Sequence, residues 1–159
     1  MIFVECKPDY ALVCKLREDQ NRKVEHSYGK SSVLNKLVRE GGYENSLGMI
    51  DEDPNSNQPK TLREFMGISN VTDCKIKILN YKHLNNNVIV LYPRLEEWII
   101  AAANEAGLRM INYGLPNEPE KLHEIINLNV EKFNLLIDDL IGRSNRINKL
   151  KKSLNGDFS

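Results

Sequence analysis

Apolar residues along this chain come in short runs broken by polar turns. Met1 to Glu5 reads as a short buried strand ending on an acid, and Cys6-Lys7-Pro8-Asp9 follows as a turn. Asp9 is placed to cap a helix of about residues 10–19, with Ala11, Leu12, Cys14 and Leu16 on a rough stripe. Val24 to Ser27 form a second strand. Tyr28 to Ser32 turn into a helix of about 32–40 that shows Val33, Leu34, Leu37 and Val38 on one side and stops at Gly41-Gly42. Leu47, Met49 and Ile50 mark a strand over 46–51, closed by Pro54.

Pro54 to Pro59 has no periodic signal and reads as a mobile loop, and Thr61 to Phe65 as a short helix. Residues 75–80 form a strand, Asn85-Asn86-Asn87 a turn, and Val88 to Tyr92 a strong strand ended by Pro93. A helix runs from Leu95 to Ala106 and stops at Gly107. Two more cover 119–126 and 128–141, the second with Val130, Phe133, Leu136, Ile137, Leu140 and Ile141 on one side. Strands alternating with helices predict an α/β fold, with a mostly parallel central sheet flanked by helices and extra helices at the C-terminal end. The expected domain is residues 1–142, followed by a basic polar tail, 143–159, partly disordered.

Composition narrows the function. The 159 residues suit one domain, with 41% hydrophobic and 28% charged residues. Lysine plus arginine equal aspartate plus glutamate at 22 each, so nothing draws the chain globally to nucleic acid. Cys6, Cys14 and Cys74 make neither a metal-ligand pattern nor a disulfide framework, and read as free thiols in a cytoplasmic protein. No apolar run approaches the roughly 18 residues of a membrane span, and the chain opens on a strand rather than a signal core.

The candidate chemistry lies in acids at comparable places. Glu5 ends the first strand, Asp51-Glu52-Asp53 ends the third, and Glu96-Glu97 opens the helix after the last strong strand. In a parallel sheet these ends share one edge. If strand geometry persists to Asp53, then Asp51 and Asp53 point to one face, as a hard cation with oxygen ligands requires. Glu96 and Glu97 equally suit a first helical turn, where the helix dipole favours acids. Lys30 can hold a phosphate oxygen as a point charge, or be a surface lysine. His26 reads as structural on its short strand. Gly29-Lys30-Ser31 is not a phosphate-binding loop, because the glycine that pattern needs would sit at position 24, which is Val24.

In its order of motifs the chain resembles the TOPRIM superfamily, shared by type IA and type II topoisomerases, bacterial primases and nucleases of the overcoming-lysogenisation-defect type. The resemblance rests on Glu5-Cys6-Lys7-Pro8-Asp9 and Asp51-Glu52-Asp53, with support from His26-Ser27-Tyr28-Gly29-Lys30 and Tyr92-Pro93-Arg94-Leu95-Glu96-Glu97-Trp98, and covers about residues 1–107. It implies a TOPRIM-like fold with Rossmann-like layering. Glu5 is implied as general acid or base or as a metal ligand, and Asp51 and Asp53 as the pair holding Mg²⁺, with Mn²⁺ as substitute. Asp9 falls where an acid often follows the glutamate. Cys6 departs from the family's usual glycine. The accessory domains of topoisomerases and primases and the ATPase domain of the nucleases are absent from this sequence.

The leading expectation is therefore a small Mg²⁺-dependent nuclease of TOPRIM type, and the resemblance alone implies a place as effector of a bacterial or phage defence or conflict system. Its Glu5 and Lys30 would be catalytic, and Glu5, Asp51, Asp53, Glu96 and Glu97 would hold metal. The partners would be nucleic acid and a separate regulatory or ATPase protein. Part of the 130–141 stripe can serve a homodimer instead of the core, and Arg143 to Lys152 can meet a nucleic-acid backbone instead of solvent. The alternative is a non-enzymatic TOPRIM-like binding or regulatory module acting through a partner. A response-regulator-like pocket, phosphorylated on aspartate, fits less well because no lysine ends a late strand.

Overall fold

The computed structural model describes residues 1–159. Six strands form one mixed sheet: β1 (Ile2–Val4), β2 (Val24–His26), β3 (Leu47–Asp51), β4 (Met66–Val71), β5 (Ile76–Tyr81) and β6 (Asn86–Leu91). Their spatial order is β2-β1-β3-β6-β5-β4. The first four in that order are parallel, with Ile2 opposite Val24 and Leu47, and Asp51 opposite Leu91. β5 and β4 extend the sheet antiparallel. The helices are α1 (Lys7–Leu16), α2 (Lys30–Val38), α3 (Leu95–Glu105), α4 (Pro119–Leu128), α5 (Glu131–Leu140) and α6 (Asn145–Leu154). Short 3₁₀ turns cover Lys60–Glu64, Lys82–Leu84 and Met110–Tyr113.

Alternation along each strand divides the core in two. Ile2, Val4, Leu47, Met49, Ile89 and Leu91 face the larger cluster, with Leu12 and Leu16 of α1, Trp98 of α3, Leu122 of α4, Phe133 of α5 and Leu150 of α6. Phe3, Ile50, Val88 and Val90 face the smaller one, with Val33, Leu34 and Leu37 of α2, and Phe65. Gly48 lets α2 sit this close: a Cβ there would meet Leu37 Cδ1 at 2.7 Å and Val33 Cγ1 at 2.8 Å. Fully buried Asn86 ties the start of β6 to the last turn of α2 and to the loop before β3. Its amide donates to the carbonyls of Leu37 and Tyr43, both at 2.7 Å, and its Oδ1 accepts from Ser46 N at 2.7 Å. Trp98 Nε1 donates to Cys74 O at 2.7 Å, which satisfies the one polar atom of a buried ring.

Several sequence expectations shift. Asp9 is not the cap of a helix beginning at residue 10. Cys6 is the N-cap, α1 starts at Lys7, and Pro8 occupies the first turn, where a missing amide proton costs nothing. β4 has no counterpart in the expected elements. It is an edge strand with Met66 and Ile68 exposed, and a register shift between Gly67 and Ser69 breaks its alternation. The sheet is accordingly mixed, with its parallel part at the centre.

The largest correction is the segment 143–159, which is not a loose tail. Ser144 caps α6, its Oγ accepting from Ile147 N at 3.2 Å, and Ile147, Leu150 and Leu154 are buried in the main core. Arg146, only 8% exposed, is gripped by Glu105, with Nη2–Oε1 at 2.8 Å, and is not open to a phosphate backbone. The α5 stripe is likewise enclosed within the molecule through Phe133, Leu136, Ile137 and Leu140, with Ile141 at its end exposed. All three cysteines are free, and no helix is long and apolar enough to cross a membrane.

Candidate functional site

The C-terminal ends of the parallel strands meet the first turns of α1, α2 and α3, and acids sit at the β1–α1 and β6–α3 junctions and at the end of β3. Glu5 follows β1 directly. Its Oε1 accepts from the amide of Asp51 at 2.7 Å, which joins the ends of β1 and β3 through a carboxylate. Burial pushes the Glu5 pKa up; the Asp51 amide and the nearby Lys30 ammonium pull it back, and Asp53 adds to the rise.

Asp51, the last residue of β3, turns to the α1–α3 side. Burial raises its pKa well above the ordinary carboxylate value, Asp9, Glu5 and Glu96 add repulsion, and only the Leu95 amide at the start of α3 opposes them. Asp9, in the first turn of α1, is 3% exposed. Its Oδ2 accepts from Cys6 N at 3.2 Å and from Cys6 Sγ at 3.1 Å. Burial is the main cause that brings its pKa to about 7, with Glu5 and Glu96 contributing in the same direction. The Cys6 thiol is itself pushed up, by burial first and then by the Asp9 charge, so it is a donor here and not a nucleophile.

Glu96 opens α3 and is 5% exposed. His123 Nδ1 of α4 lies 2.6 Å from Glu96 Oε1, which joins the start of α3 to α4. Glu97, one residue on, points elsewhere: Arg94 Nη2 reaches its Oε1 at 2.6 Å and Nε reaches both oxygens at 3.1 Å, while Glu120 Oε1 accepts from the same Nη2 at 2.8 Å. Of the two, Glu96 is the one turned toward the rim, because adjacent helical positions diverge by about 100°.

Two other expected residues are nearby but differently arranged. The β3 strand ends at Asp51, and Asp53 has φ 43°, so the two-residue alternation that would align Asp51 with Asp53 is broken. Asp53 still lies close enough to Glu5 to raise its pKa. Lys30 Nζ donates to the carbonyl oxygen of Glu52 at 2.8 Å and to Gln58 Oε1 at 3.2 Å, which fastens the 54–59 loop over the rim. The Glu52 side chain leaves the cluster to pair with Lys77. His26 stacks on Tyr28, outside the acids.

As arranged, no three aspartate, glutamate, histidine or cysteine side chains converge on a single point suited to a metal ion. Two acid oxygens are nevertheless left without any partner in the interior: Asp9 Oδ1 and Asp51 Oδ1. An all-oxygen donor set of this kind matches a hard divalent cation. Sequence reasoning placed Asp9 as a cap and missed His123, which lies on the polar side of α4 and carries no motif. No family model, curated protein or solved structure matches the chain.

Proposed function

We propose that this protein is a divalent-cation-dependent phosphodiester hydrolase of TOPRIM-like architecture acting on nucleic acid. The supporting observation is the pair of buried, unpartnered oxygens on Asp9 and Asp51 in a rim that also contains Glu5 and Glu96. Carboxylates crowded in this way need protons or a cation, because their charged forms are disfavoured by burial and by one another.

Asp51 and Asp9 would hold the ion through their unpartnered oxygens, with Glu96 and Asp53 turning in to complete the set. Bound there, Mg²⁺ or Mn²⁺ supplies charge neutralisation at the phosphoryl group and acidifies water. Glu5 is the proton carrier: its pKa is raised in the direction that general acid–base work near neutral pH requires. Lys30 orders the loop through Glu52 and Gln58, and its ammonium, bonded to no carboxylate, would hold a phosphate oxygen of the substrate. A defence or conflict setting, and a separate ATPase or regulatory partner, belong to the same proposal through the family resemblance alone.

The test uses labelled DNA and RNA substrates with Mg²⁺, Mn²⁺ or EDTA. Cleavage with either metal is expected, with a loss of at least about 100-fold in Glu5→Gln and in Asp51→Asn. A thermal-unfolding scan adds a second readout. Mg²⁺ at about a hundred times its Kd should stabilise the wild type by roughly 2.7 kcal/mol and leave Asp51→Asn unmoved. Metal-independent behaviour in both measurements would overturn the hydrolase and favour the non-enzymatic binding module.

A further inference from the structure

The loop joining β2 to α2 stands on the same rim. Ser27 N donates to Val4 O at 2.8 Å and Gly29 N to Glu5 O at 3.1 Å, so the loop is bonded on both sides of Tyr28 to the end of β1. Between these two bonds Tyr28 takes a left-handed backbone, φ 58°, which is uncommon for an aromatic residue. Its ring is turned outward and is 83% exposed. One face covers the His26 ring, with centroids 3.9 Å apart and planes 28° from parallel, and the other face is open. Lys30, two residues further, lies within charge range of Glu5.

On the hydrolase reading given above, we infer that the open face of Tyr28 is a stacking platform for an unpaired nucleobase, and that the substrate is single-stranded nucleic acid. Two physical arguments select a single strand over a duplex. Stacking on an aromatic ring works for any base and needs no excess of positive charge. Duplex binding depends on neutralising many phosphates, and this chain carries 22 basic against 22 acidic residues, with acids concentrated at the rim. A base inside a duplex also has both faces covered by its neighbours, so an isolated exposed ring cannot reach it without displacing one. The His26 ring beneath Tyr28 keeps the platform flat, and the two backbone bonds fix it beside Glu5. A base held on Tyr28 would therefore leave its own phosphate next to the carboxylates.

The test measures binding apart from cleavage. Fluorescent oligodeoxythymidine and oligouridine of about twelve nucleotides, and a blunt hairpin duplex, are titrated with the protein in Ca²⁺ and again in EDTA. Tyr28→Ala should weaken single-strand affinity by about 5- to 100-fold, and Tyr28→Phe, which keeps the ring, should match the wild type. Tyr28→Asn, a residue that accepts the left-handed backbone, should behave as Tyr28→Ala and so separates ring loss from backbone strain. A 2-aminopurine base in the strand should be quenched by the wild type and not by Tyr28→Ala. Equal affinity of Tyr28→Ala and wild type, or a hairpin bound as tightly as the single strands, would overturn the inference. Ring-dependent binding without metal-dependent cleavage would keep the platform and remove the hydrolase. Metal-dependent cleavage with no effect of Tyr28 would do the reverse. The two oligonucleotides identify whether the sugar is deoxyribose or ribose.

Discussion

At the residue scale, the rim sets Asp9 against the stability of the fold. Its folded-state pKa of about 7 lies far above the ordinary carboxylate value, mainly because it is buried. A raised pKa means the folded state holds its proton more tightly than the unfolded chain does. The resulting stability is complete below about pH 4 and is lost as pH rises toward about 7. Asp51 and Glu5 shift in the same direction and add to the loss over the same rise in pH. In EDTA, urea unfolding between pH 4 and pH 8 should therefore show stability falling with pH on account of these acids. Asp9→Asn should flatten that slope and stabilise the protein at pH 8 by on the order of a few kcal/mol, since each pKa unit is worth about 1.4 kcal/mol. A slope identical to that of the wild type would show that Asp9 is not protonated in the fold. The Cys6 amide can still donate to an asparagine oxygen, so the substitution changes charge more than shape.

At the element scale, α6 is the part of the fold whose weight is easiest to measure. Leu150 is fully buried in the larger core. Leu150→Ala should cost about 2–5 kcal/mol, and Ser144→Ala about 1 kcal/mol, both read as shifts in the urea midpoint with unchanged slope. A loss under about 0.5 kcal/mol for Leu150→Ala would mean that α6 is only laid against the surface. This helix was hidden in the sequence because basic and polar residues fill most of its positions, although Ile147, Leu150 and Leu154 repeat at helical spacing. β4 was hidden for a different reason: it is an exposed edge with a bulge, so neither burial nor period two marks it. β1, β3 and α3 were legible because their apolar positions are continuous or strictly periodic and their ends carry clear stops. The site was legible in the same measure. Glu5 and Asp51 could be placed because strand ends can be placed. Asp53 could not, because its left-handed backbone has no signature in an aspartate. Glu96 and Glu97 could not be separated, because helix phase depends on what the helix packs against. His123 depends on α4 folding back to α3, a contact that no local pattern encodes.

At the scale of the whole molecule, the sheet is unequally covered. One side carries α1, α3, α4, α5 and α6 and the larger cluster, while the other carries α2 and the 3₁₀ turn at Lys60–Glu64 with a much smaller one. The rim spans the two sides: Asp51, Asp9 and Glu96 belong to the thick side, while Tyr28, Lys30 and the 54–59 loop border the thin one. A layer held by fewer apolar contacts opens at lower free energy. Amide hydrogen exchange should accordingly be faster over residues 30–38 than over α1, α3 and α5, and equal protection would contradict that ordering. The acids would then be anchored to the slow half of the molecule and the groups that greet a polymer to the quick half. On the hydrolase reading, one border of the rim stays still while the other breathes, and a long strand would be admitted from the side without disturbing the half that would hold the metal.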